Sequence, residues 1–486
     1  MILAIDQGTT GTTAIVFDDE ARPVGRAYAE LTQHFPRPGW VEHDADEIVE
    51  SVLAVAREAL RSARVDGRDL RAIGITNQRE TVVAWDREGR PLHRAIVWQD
   101  RRTAGRCAEL RAGGHESLVR ERTGLVLDPY FSGTKVEWLF REGGVPRDAL
   151  VGTIDAWLAY RLTGEHVTDP SNASRTLLYD IRARTWDEDL CKLLHVPPAS
   201  LPRVVPTAGA LGETRALGRT VPVCALVGDQ QSALYGQRCR GPQSAKCTYG
   251  TGNFVLRALG HGEPRVDEGL LTSVAWQVGD QVEYALEASV FVTGAAVQWL
   301  RDGLQVIEDA TETEALARSL DGNDDVFFVP ALTGLGSPQW DPYARGTIVG
   351  LTRGVRRAHL ARAALEAIAY QTVDAVRAQD AVVGSPLTEL RADGGASANE
   401  WLMQFQADVL GAPVAVAPLA ETTALGAAYL AGVAAGIWSE ADLDSLGGEP
   451  RRYEPRLEEA RRERLMARWH EAVERARGWA EARQVE

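Results

Sequence analysis

The pattern of apolar and polar residues begins with two short apolar runs separated by a turn. Residues 2–5 and 14–17 are apolar, and residues 6–13 between them are rich in glycine and threonine, which is typical of a strand–turn–strand hairpin. Farther along, apolar residues recur at helical spacing through residues 45–63, with Asp44 placed to cap a helix and acidic residues in its first turn. This segment is therefore predicted to be an amphipathic helix.

The strand–turn–strand pattern recurs at two further places. Residues 73–86 run from apolar to polar and back to apolar, and residues 246–256 do the same around a Gly-Thr-Gly-Asn turn. Because the pattern opens each half of a chain that is too long for one compact core, we predict two related α/β domains. We assign them residues 1–245 and 246–486, with the boundary placed to within about ten residues.

Three later segments complete the predicted elements. The apolar run 223–227 leads into Gly-Asp-Gln-Gln, and the run 390–393 leads into a Gly-Gly turn followed by a helical pattern over residues 400–410. The uncharged stretch 422–439 has the length of a membrane helix but few large apolar residues. We therefore predict a small-residue helix packed closely inside a domain.

Composition narrows the class of protein and its compartment. The 486 residues are 45% hydrophobic and 25% charged, and the formal net charge of −15 argues against nucleic acid or an anionic membrane as the main partner. The apolar opening is interrupted by Asp6, which does not fit a signal peptide, and the five cysteines are scattered and odd in number. We expect a soluble, cytoplasmic protein without a disulfide framework, a zinc site or an integral membrane segment.

Glycine-rich turns are the candidate phosphate sites. The P-loop and the dinucleotide-binding glycine patterns do not occur in this sequence. The turn Asp6-Gln7-Gly8-Thr9-Thr10-Gly11 offers backbone N–H groups and hydroxyls for phosphate oxygens, and Asp6 could hold a hydrated Mg²⁺. Such a turn is by itself more often only a hairpin. A second one, at residues 250–253, indicates that two such hairpins could clamp a nucleoside triphosphate between them.

Other polar residues each have a functional and a plain structural interpretation. The Gly-Gly turn at residues 394–399 could admit adenosine beside a helix N-terminus, or it could be a simple tight turn. Asp229, at the end of a predicted strand, could equally be a ligand-binding carboxylate or a helix N-cap. Arg79 and Glu80 are most simply an exposed surface pair, although in a polyol site they would supply donors and an acceptor for hydroxyl groups.

Taken together, the segments resemble the FGGY family of carbohydrate kinases over nearly the whole chain. In chain order the matching segments are residues 6–10 (DQGTT), 38–44 (PGWVEHD), 74–81 (GITNQRET), 96–99 (IVWQ), 128–135 (DPYFSGTK), 228–231 (GDQQ), 248–252 (TYGTG), 340–346 (WDPYARG) and 403–406 (MQFQ). Their length and order make chance similarity a poor explanation.

The resemblance implies two actin-like (ribonuclease H-like) α/β domains flanking a central cleft, and phosphorylation of glycerol by ATP and Mg²⁺ to sn-glycerol 3-phosphate. The residues it implies for glycerol are Arg79, Glu80, Trp98, Tyr130, Asp229, Gln230 and Phe254. Those it implies for ATP are Thr9, Thr10, Gly250, Thr251, Gly294 and Gln298, with Gly395 and Asn399 at the adenosine. It further implies that Asp229 is the general base and that Asp6 and Asp229 hold Mg²⁺ through water.

Three points stay open from the sequence: position 13, the choice among related functions, and the assembly. The first phosphate turn of relatives commonly continues to an arginine where this chain has Thr13. The substrate could also be xylulose, gluconate or another longer polyol, or the chain could be a non-catalytic, actin-like ATP-binding switch. A homodimer or a homotetramer is compatible with the sequence.

Overall fold

The computed structural model describes residues 1–480, and its first half is a mixture of strands and helices. The strands are β1 (Ile2–Gln7), β2 (Gly11–Phe17), β3 (Pro23–Glu30), β4 (Glu42–His43), β5 (Ala72–Asn77), β6 (Val82–Trp85), β7 (Ala95–Ile96), β8 (Leu150–Thr153), β9 (Val167–Thr168), β10 (Tyr179–Asp180), β11 (Thr185–Trp186), β12 (Arg203–Val204), β13 (Glu213–Thr214) and β14 (Val221–Gly228). The helices are α1 (Ala45–Ala63), α2 (Ala104–Ala112), α3 (Glu116–Thr123), α4 (Ser132–Arg141), α5 (Ile154–Thr163), α6 (Pro170–Ala173), α7 (Glu188–Leu193) and α8 (Asp229–Gly236).

The second half follows the same mixed composition. Its strands are β15 (Ser244–Tyr249), β16 (Asn253–His261), β17 (Leu271–Val278), β18 (Gln281–Val290), β19 (Phe327–Val329), β20 (Thr347–Val349), β21 (Glu389–Asp393), β22 (Val414–Val416) and β23 (Arg451–Tyr453). Its helices are α9 (Gly294–Asp302), α10 (Glu312–Arg318), α11 (Arg357–Val383), α12 (Glu400–Leu410), α13 (Thr422–Ala434) and α14 (Glu459–Ala476). Short 3₁₀ turns occur at Pro198–Ser200, Gly395–Ala398 and Asp442–Ser445.

Each half is built on one large sheet, and the two sheets have the same plan. The first has the strand order β13-β14-β5-β1-β2-β3, and the second has the order β17-β18-β16-β15-β21-β22-β23. In the first, β1, β5 and β14 are parallel, and β2 is antiparallel to both of its neighbours, β1 and β3. In the second, β15, β21 and β22 are parallel, and β16 is antiparallel to both of its neighbours, β15 and β18. The prediction of two related α/β units is confirmed.

Local sequence patterns located several elements closely. The helix predicted over residues 45–63 is α1, and the Asp44 side chain accepts hydrogen bonds from the backbone N–H groups of Asp46 and Glu47. The predicted helix over residues 400–410 is α12. The opening hairpin is also present, but its strands extend farther than predicted, because Asp6 pairs with Thr13 across the antiparallel ladder.

The predicted hairpin over residues 73–86 is wrong. Strand β5 lies between β1 and β14 in the large sheet, whereas β6 belongs to a separate sheet of order β4-β7-β6-β8. The chain turns away at Glu80, whose φ of 63° lies in the left-handed region that side chains rarely occupy. The polar connection therefore leaves one sheet and enters another.

Helix α13 is the small-residue segment of the second half, and it packs against the sheet of the first half. A methyl group on Gly74 of β5 would lie 2.2 Å from the Ala427 carbonyl oxygen, and one on Gly426 would lie 1.9 Å from the Ser232 carbonyl oxygen. Only glycine allows these close approaches. The segment is a closely packed helix as predicted, but it packs against the other half of the chain and not inside its own domain. No helix within residues 1–480 has both the length and the apolar character that a membrane span requires.

Candidate active site

Parallel strands bring three predicted site segments to one edge of the first sheet. Asp6, near the end of β1, pairs with Thr76 of β5, and Gly228 at the end of β14 pairs with Asn77 of β5. Asp229 follows directly on β14. Because ligands of α/β sheets bind beyond the carboxyl ends of the strands, this edge is where a site is expected.

Arg79 lies at the centre of this edge and is only 3% exposed. Its Nε is 3.1 Å from Oδ1 of Asp229. Its Nη1 donates to Oε2 of Glu287 at 2.6 Å and to Oε1 of Gln231 at 3.3 Å. Its Nη2 donates to the second oxygen of Glu287 at 3.3 Å and lies 3.5 Å from the Tyr130 hydroxyl. The guanidinium is thus held on every side by polar groups.

Glu80 is equally buried, with 1% of its surface exposed. Its Oε1 accepts a hydrogen bond of 2.5 Å from Nε of Arg175. Its backbone carbonyl accepts one from the Ser132 hydroxyl at 3.0 Å. The interpretation of Arg79 and Glu80 as an exposed surface pair is therefore wrong.

Arg79 and Glu80 belong to a cluster of buried charged residues that also contains Arg175 and Glu287. The sequence analysis did not identify Arg175 or Glu287. Burial opposes ionisation of Glu287, but the neighbouring guanidinium groups of Arg175 and Arg79 outweigh it and hold its pKa at about 2. Glu287 interrupts an otherwise apolar part of β18. A charged residue in such a position is a signal that was available in the sequence.

Two aromatic side chains border the cluster in the first half. Trp98 and Tyr130 pack edge to face with ring centroids 5.5 Å apart. The indole Nε1 of Trp98 donates to the Thr9 hydroxyl at 2.8 Å, which ties this wall to the first glycine turn. The structure therefore places Trp98 and Tyr130, two of the residues implied for glycerol, beside the first phosphate turn.

The second sheet contributes one face to the same region. Phe254 lies opposite Thr248 on the neighbouring strand, and Lys246 is two residues before Thr248, so the three side chains share a face. The buried Nζ of Lys246 donates to the Thr248 hydroxyl at 2.7 Å and also to Oε1 of Gln230. Gln230 thus links the first half to the face that carries Phe254.

The first glycine turn is a tight one whose tip is exposed. Gly8 donates its N–H to the Gly11 carbonyl oxygen at 2.9 Å, and the Thr10 side chain faces solvent. Thr13 lies directly opposite Asp6 in the antiparallel ladder. Opposed residues point to the same face of a sheet, so Thr13 shares the face of Asp6 and does not point away from it.

The second glycine turn is supported by the start of α9. Gly250 donates to the Gly252 carbonyl oxygen at 3.1 Å, and Thr251 at its tip is exposed. Gly294 donates to the Gly250 carbonyl oxygen at 3.1 Å, and a methyl group on Gly294 would lie 2.4 Å from that oxygen. The turn and Gly294 are therefore in contact, with Gln298 exposed one turn along α9.

The third glycine segment lies beside the second turn. Gly394 has a φ of 87°, and a methyl group there would lie 2.5 Å from the Tyr249 carbonyl oxygen. Gly395 is exposed with open space above it. Asn399 caps α12, because its side chain accepts from the Leu402 N–H at 2.9 Å. A flat exposed backbone next to a helix start is present here.

Asp229 does not cap helix α8, since Gly228 holds the N-cap position. Its Oδ1 accepts from the Gln230 N–H at 2.6 Å and faces Arg79. The N-cap interpretation of Asp229 is therefore wrong, and about a third of its side chain is exposed (31%).

The donor set at Asp6 and Asp229 fits a hydrated divalent cation. Burial raises the pKa of Asp6 to about 7, with further contributions from the nearby Asp229 and Glu421 carboxylates. Clustered carboxylates that repel one another suit a hard cation such as Mg²⁺. Within residues 1–480, no group of three or more His, Cys, Asp or Glu side chains is arranged to hold a metal directly. Such an ion would therefore be completed by water and phosphate oxygens.

Two protein-family models match the chain in succession. The N-terminal domain of the FGGY family of carbohydrate kinases matches residues 1–236, and the C-terminal domain of that family matches residues 245–435. The first match contains every strand of the first sheet, and the second runs from β15 to α13 and ends before β23.

Relatives and solved structures are similar over the full length. Glycerol kinase of Dechloromonas aromatica is 54% identical, covering 99% of this chain and 98% of its own. Glycerol kinase of Deinococcus radiodurans is 53% identical, with 98% of each covered. The crystal structure of Plasmodium falciparum glycerol kinase with ADP superposes with a TM-score of 0.92 at 34% identity, covering 98% of both chains. The likeness is not confined to either half.

Proposed function

The chain belongs to the FGGY family of carbohydrate kinases, and from that premise we propose that it phosphorylates glycerol with ATP to give sn-glycerol 3-phosphate and ADP. The observation that carries the choice of a small polyol is the buried pair Arg79 and Glu80 beside the Trp98–Tyr130 wall. Full-length relatives named glycerol kinase support the choice of glycerol.

The polyol is recognised by polar groups on one side and rings on the other. Arg79 donates hydrogen bonds, while Glu80 and Asp229 accept them from hydroxyl groups. Trp98 and Phe254 cover the carbon chain, which cannot form hydrogen bonds. A short triol suits a site in which the acceptors lie close to a common guanidinium.

Asp229 is the general base in this proposal. Its Oδ1 is engaged by Arg79 and the Gln230 N–H, and Oδ2 accepts no hydrogen bond from the rest of residues 1–480. That free oxygen takes the proton from the terminal hydroxyl as this hydroxyl attacks the γ-phosphorus. The P–O bond to ADP then breaks, and ADP leaves with its electron pair.

The glycine turns position the nucleotide. In this proposal Thr9 and Thr10 bind the phosphates from the first half and Gly250 and Thr251 from the second, while Gly294 supports the second turn. Gln298 lies near the phosphates, and Gly395 and Asn399 border the adenosine. Phosphoryl transfer depends chiefly on such alignment and on charge neutralisation. Mg²⁺, held through water by Asp6 and Asp229, supplies that neutralisation when bound.

An ADP-release assay over a polyol panel tests the function. Glycerol should give the highest kcat/KM, with xylulose and gluconate far below it. In Phe254→Ala and Trp98→Ala, use of glycerol should fall and relative use of the longer polyols should rise, because a wall is removed. Preference for a longer polyol in the wild type would identify a sibling kinase. ATP binding without turnover of any polyol would identify a non-catalytic switch.

The domain limits and assembly also belong to the proposal. We propose that the two domains comprise residues 1–245 and 246–486. We also propose that the protein acts in the cytoplasm and that it assembles as a homodimer or a homotetramer. Light scattering on the purified protein gives the assembly directly, and a monomer at micromolar concentration would contradict it.

A further inference from the structure

Five charged side chains of alternating sign form a continuous series across the candidate site, which we call the charged chain. In order they are Glu80, Arg175, Glu287, Arg79 and Asp229. The successive contacts are 2.5 Å from Arg175 Nε to Glu80, 3.2 Å from Arg175 Nη2 to Glu287, 2.6 Å from Arg79 Nη1 to Glu287 and 3.1 Å from Arg79 Nε to Asp229. Each charge is therefore neighboured by the opposite sign.

The two inner members next to the glutamate end of the charged chain, Arg175 and Glu287, do not belong to the edge of the first sheet that binds the polyol. Arg175 follows α6, and Glu287 lies on β18 of the second sheet. Neither has any exposed side-chain surface. Glu287 contacts both outer nitrogens of Arg79, Nη1 and Nη2, so it fixes the rotation of that guanidinium as well as its place.

The two ends of the charged chain are left able to bind. Glu80 uses Oε1 for Arg175, and Asp229 uses Oδ1 for Arg79. Within residues 1–480, the second oxygen of each carboxylate accepts no hydrogen bond. The second carboxylate oxygens of Glu80 and Asp229 are therefore two positions at which the charged chain can accept hydrogen bonds from hydroxyl groups.

We propose that Arg175 and Glu287 are positioning residues, which orient Arg79 and Glu80 for the polyol without touching it. The inference rests on the proposed function in taking the ligand to be a polyol. It also means that the arginine of the first half is held by a carboxylate of the second half. Polyol recognition is then complete only when the two halves are together.

A purely stabilising role explains the charged chain less well. Burying ions is costly, and apolar residues of similar volume commonly stabilise a fold as well or better. A series of buried ion pairs instead fixes the orientation of its side chains, because guanidinium and carboxylate groups pair in defined geometries. The predicted consequence is therefore a change in substrate affinity that is separable from stability.

The test compares Glu287→Gln and Arg175→Lys with the control Glu283→Gln. Glu283 is also a buried glutamate of β18, but it accepts from the Gly260 N–H and has no contact with the charged chain. For the polyol that the wild type uses best, KM should rise about tenfold to a hundredfold in both test variants, as loss of a charged hydrogen bond predicts. The KM for ATP should stay within about twofold, and kcat should fall by less than KM rises. The control should leave both KM values unchanged.

Further outcomes separate the possible failures. Partial recovery of polyol KM in Glu287→Asp, which keeps the charge, supports positioning. So does a double variant, Glu287→Gln with Arg175→Lys, whose effect is smaller than the product of the single effects. Unchanged polyol KM, or equal changes in both KM values that track a lowered Tm, overturns the inference. A wild type that prefers xylulose to glycerol overturns the proposed function alone, since the positioning result is then measured with xylulose.

Discussion

At the scale of single residues, Asp229 has one carboxylate oxygen engaged, and the other accepts no hydrogen bond from the described residues 1–480. We expect Asp229→Asn to keep binding ATP and glycerol, because the amide retains the size of the side chain, while kcat falls by at least about a hundredfold through loss of the base. Calorimetric titration with each ligand and single-turnover kinetics measure the two effects separately. A kcat near that of the wild type would remove Asp229 from the role of base.

Thr13 provides a second residue-scale prediction, because it shares the sheet face of Asp6. An arginine here would reach toward the transferred phosphoryl group, and a charged hydrogen bond is worth about 1.5–3 kcal/mol, or roughly tenfold to a hundredfold in affinity. Thr13→Arg should therefore tighten product inhibition by sn-glycerol 3-phosphate and leave the KM for glycerol nearly unchanged.

A control of similar length separates charge from bulk at position 13. Thr13→Gln adds a long side chain without a charge, so its inhibition constant should remain close to that of the wild type. Equal inhibition constants in all three proteins would show that a side chain at this position does not reach the phosphate.

At the scale of elements, β5 of the first half and α13 of the second half are in close contact. Gly74 has no room for a methyl group, which would lie 2.2 Å from the Ala427 carbonyl oxygen. Gly74→Ala should therefore push the helix from the sheet and lower the free energy of unfolding by about 1–3 kcal/mol. Differential scanning calorimetry of the unliganded protein measures the change in Tm.

Gly105→Ala is the matched control for this substitution. Gly105 lies within α2, and a methyl group added there would meet no atom within 4 Å apart from its chain neighbours and its own helix backbone. Alanine is the better helix former there, so Tm should stay the same or rise. A Tm for Gly74→Ala equal to that of the control would mean that α13 can shift at no cost.

At the scale of the whole molecule, the two sheets are joined both by α13 and by the charged chain. The cleft between them can narrow by rotation about the connection at residues 237–243. We expect a smaller radius of gyration in small-angle scattering with glycerol and a non-hydrolysable ATP analogue together than with either ligand alone. The same radius in all states would indicate a cleft that is closed before binding.

Local pattern was sufficient for features that depend on neighbours in sequence. The periodicity of α1 and its Asp44 cap, the extent of α12, and the glycine turn between β15 and β16 are encoded within a few residues of themselves. The grouping of Arg79, Glu80 and Asp229 was implied only by the resemblance to a family, because the residue pattern by itself favoured a surface pair at Arg79 and Glu80 and left Asp229 as a possible helix cap. The other residues of the proposed site were likewise implied by the resemblance to a family and not by local pattern.

Tertiary structure decided what depends on distant partners. Arg79 and Glu287 are 208 residues apart in the chain, and Arg175 and Glu287 are 112 apart. Only the packing of the second sheet against the first brings them together. Tertiary structure also decided the opposite case of β5 and β6, which are neighbours in sequence but belong to different sheets. The sequence pattern indicates on which face of a strand or helix a residue lies. The carboxylate that stabilises a buried arginine is determined by long-range packing, because it comes from a distant part of the chain.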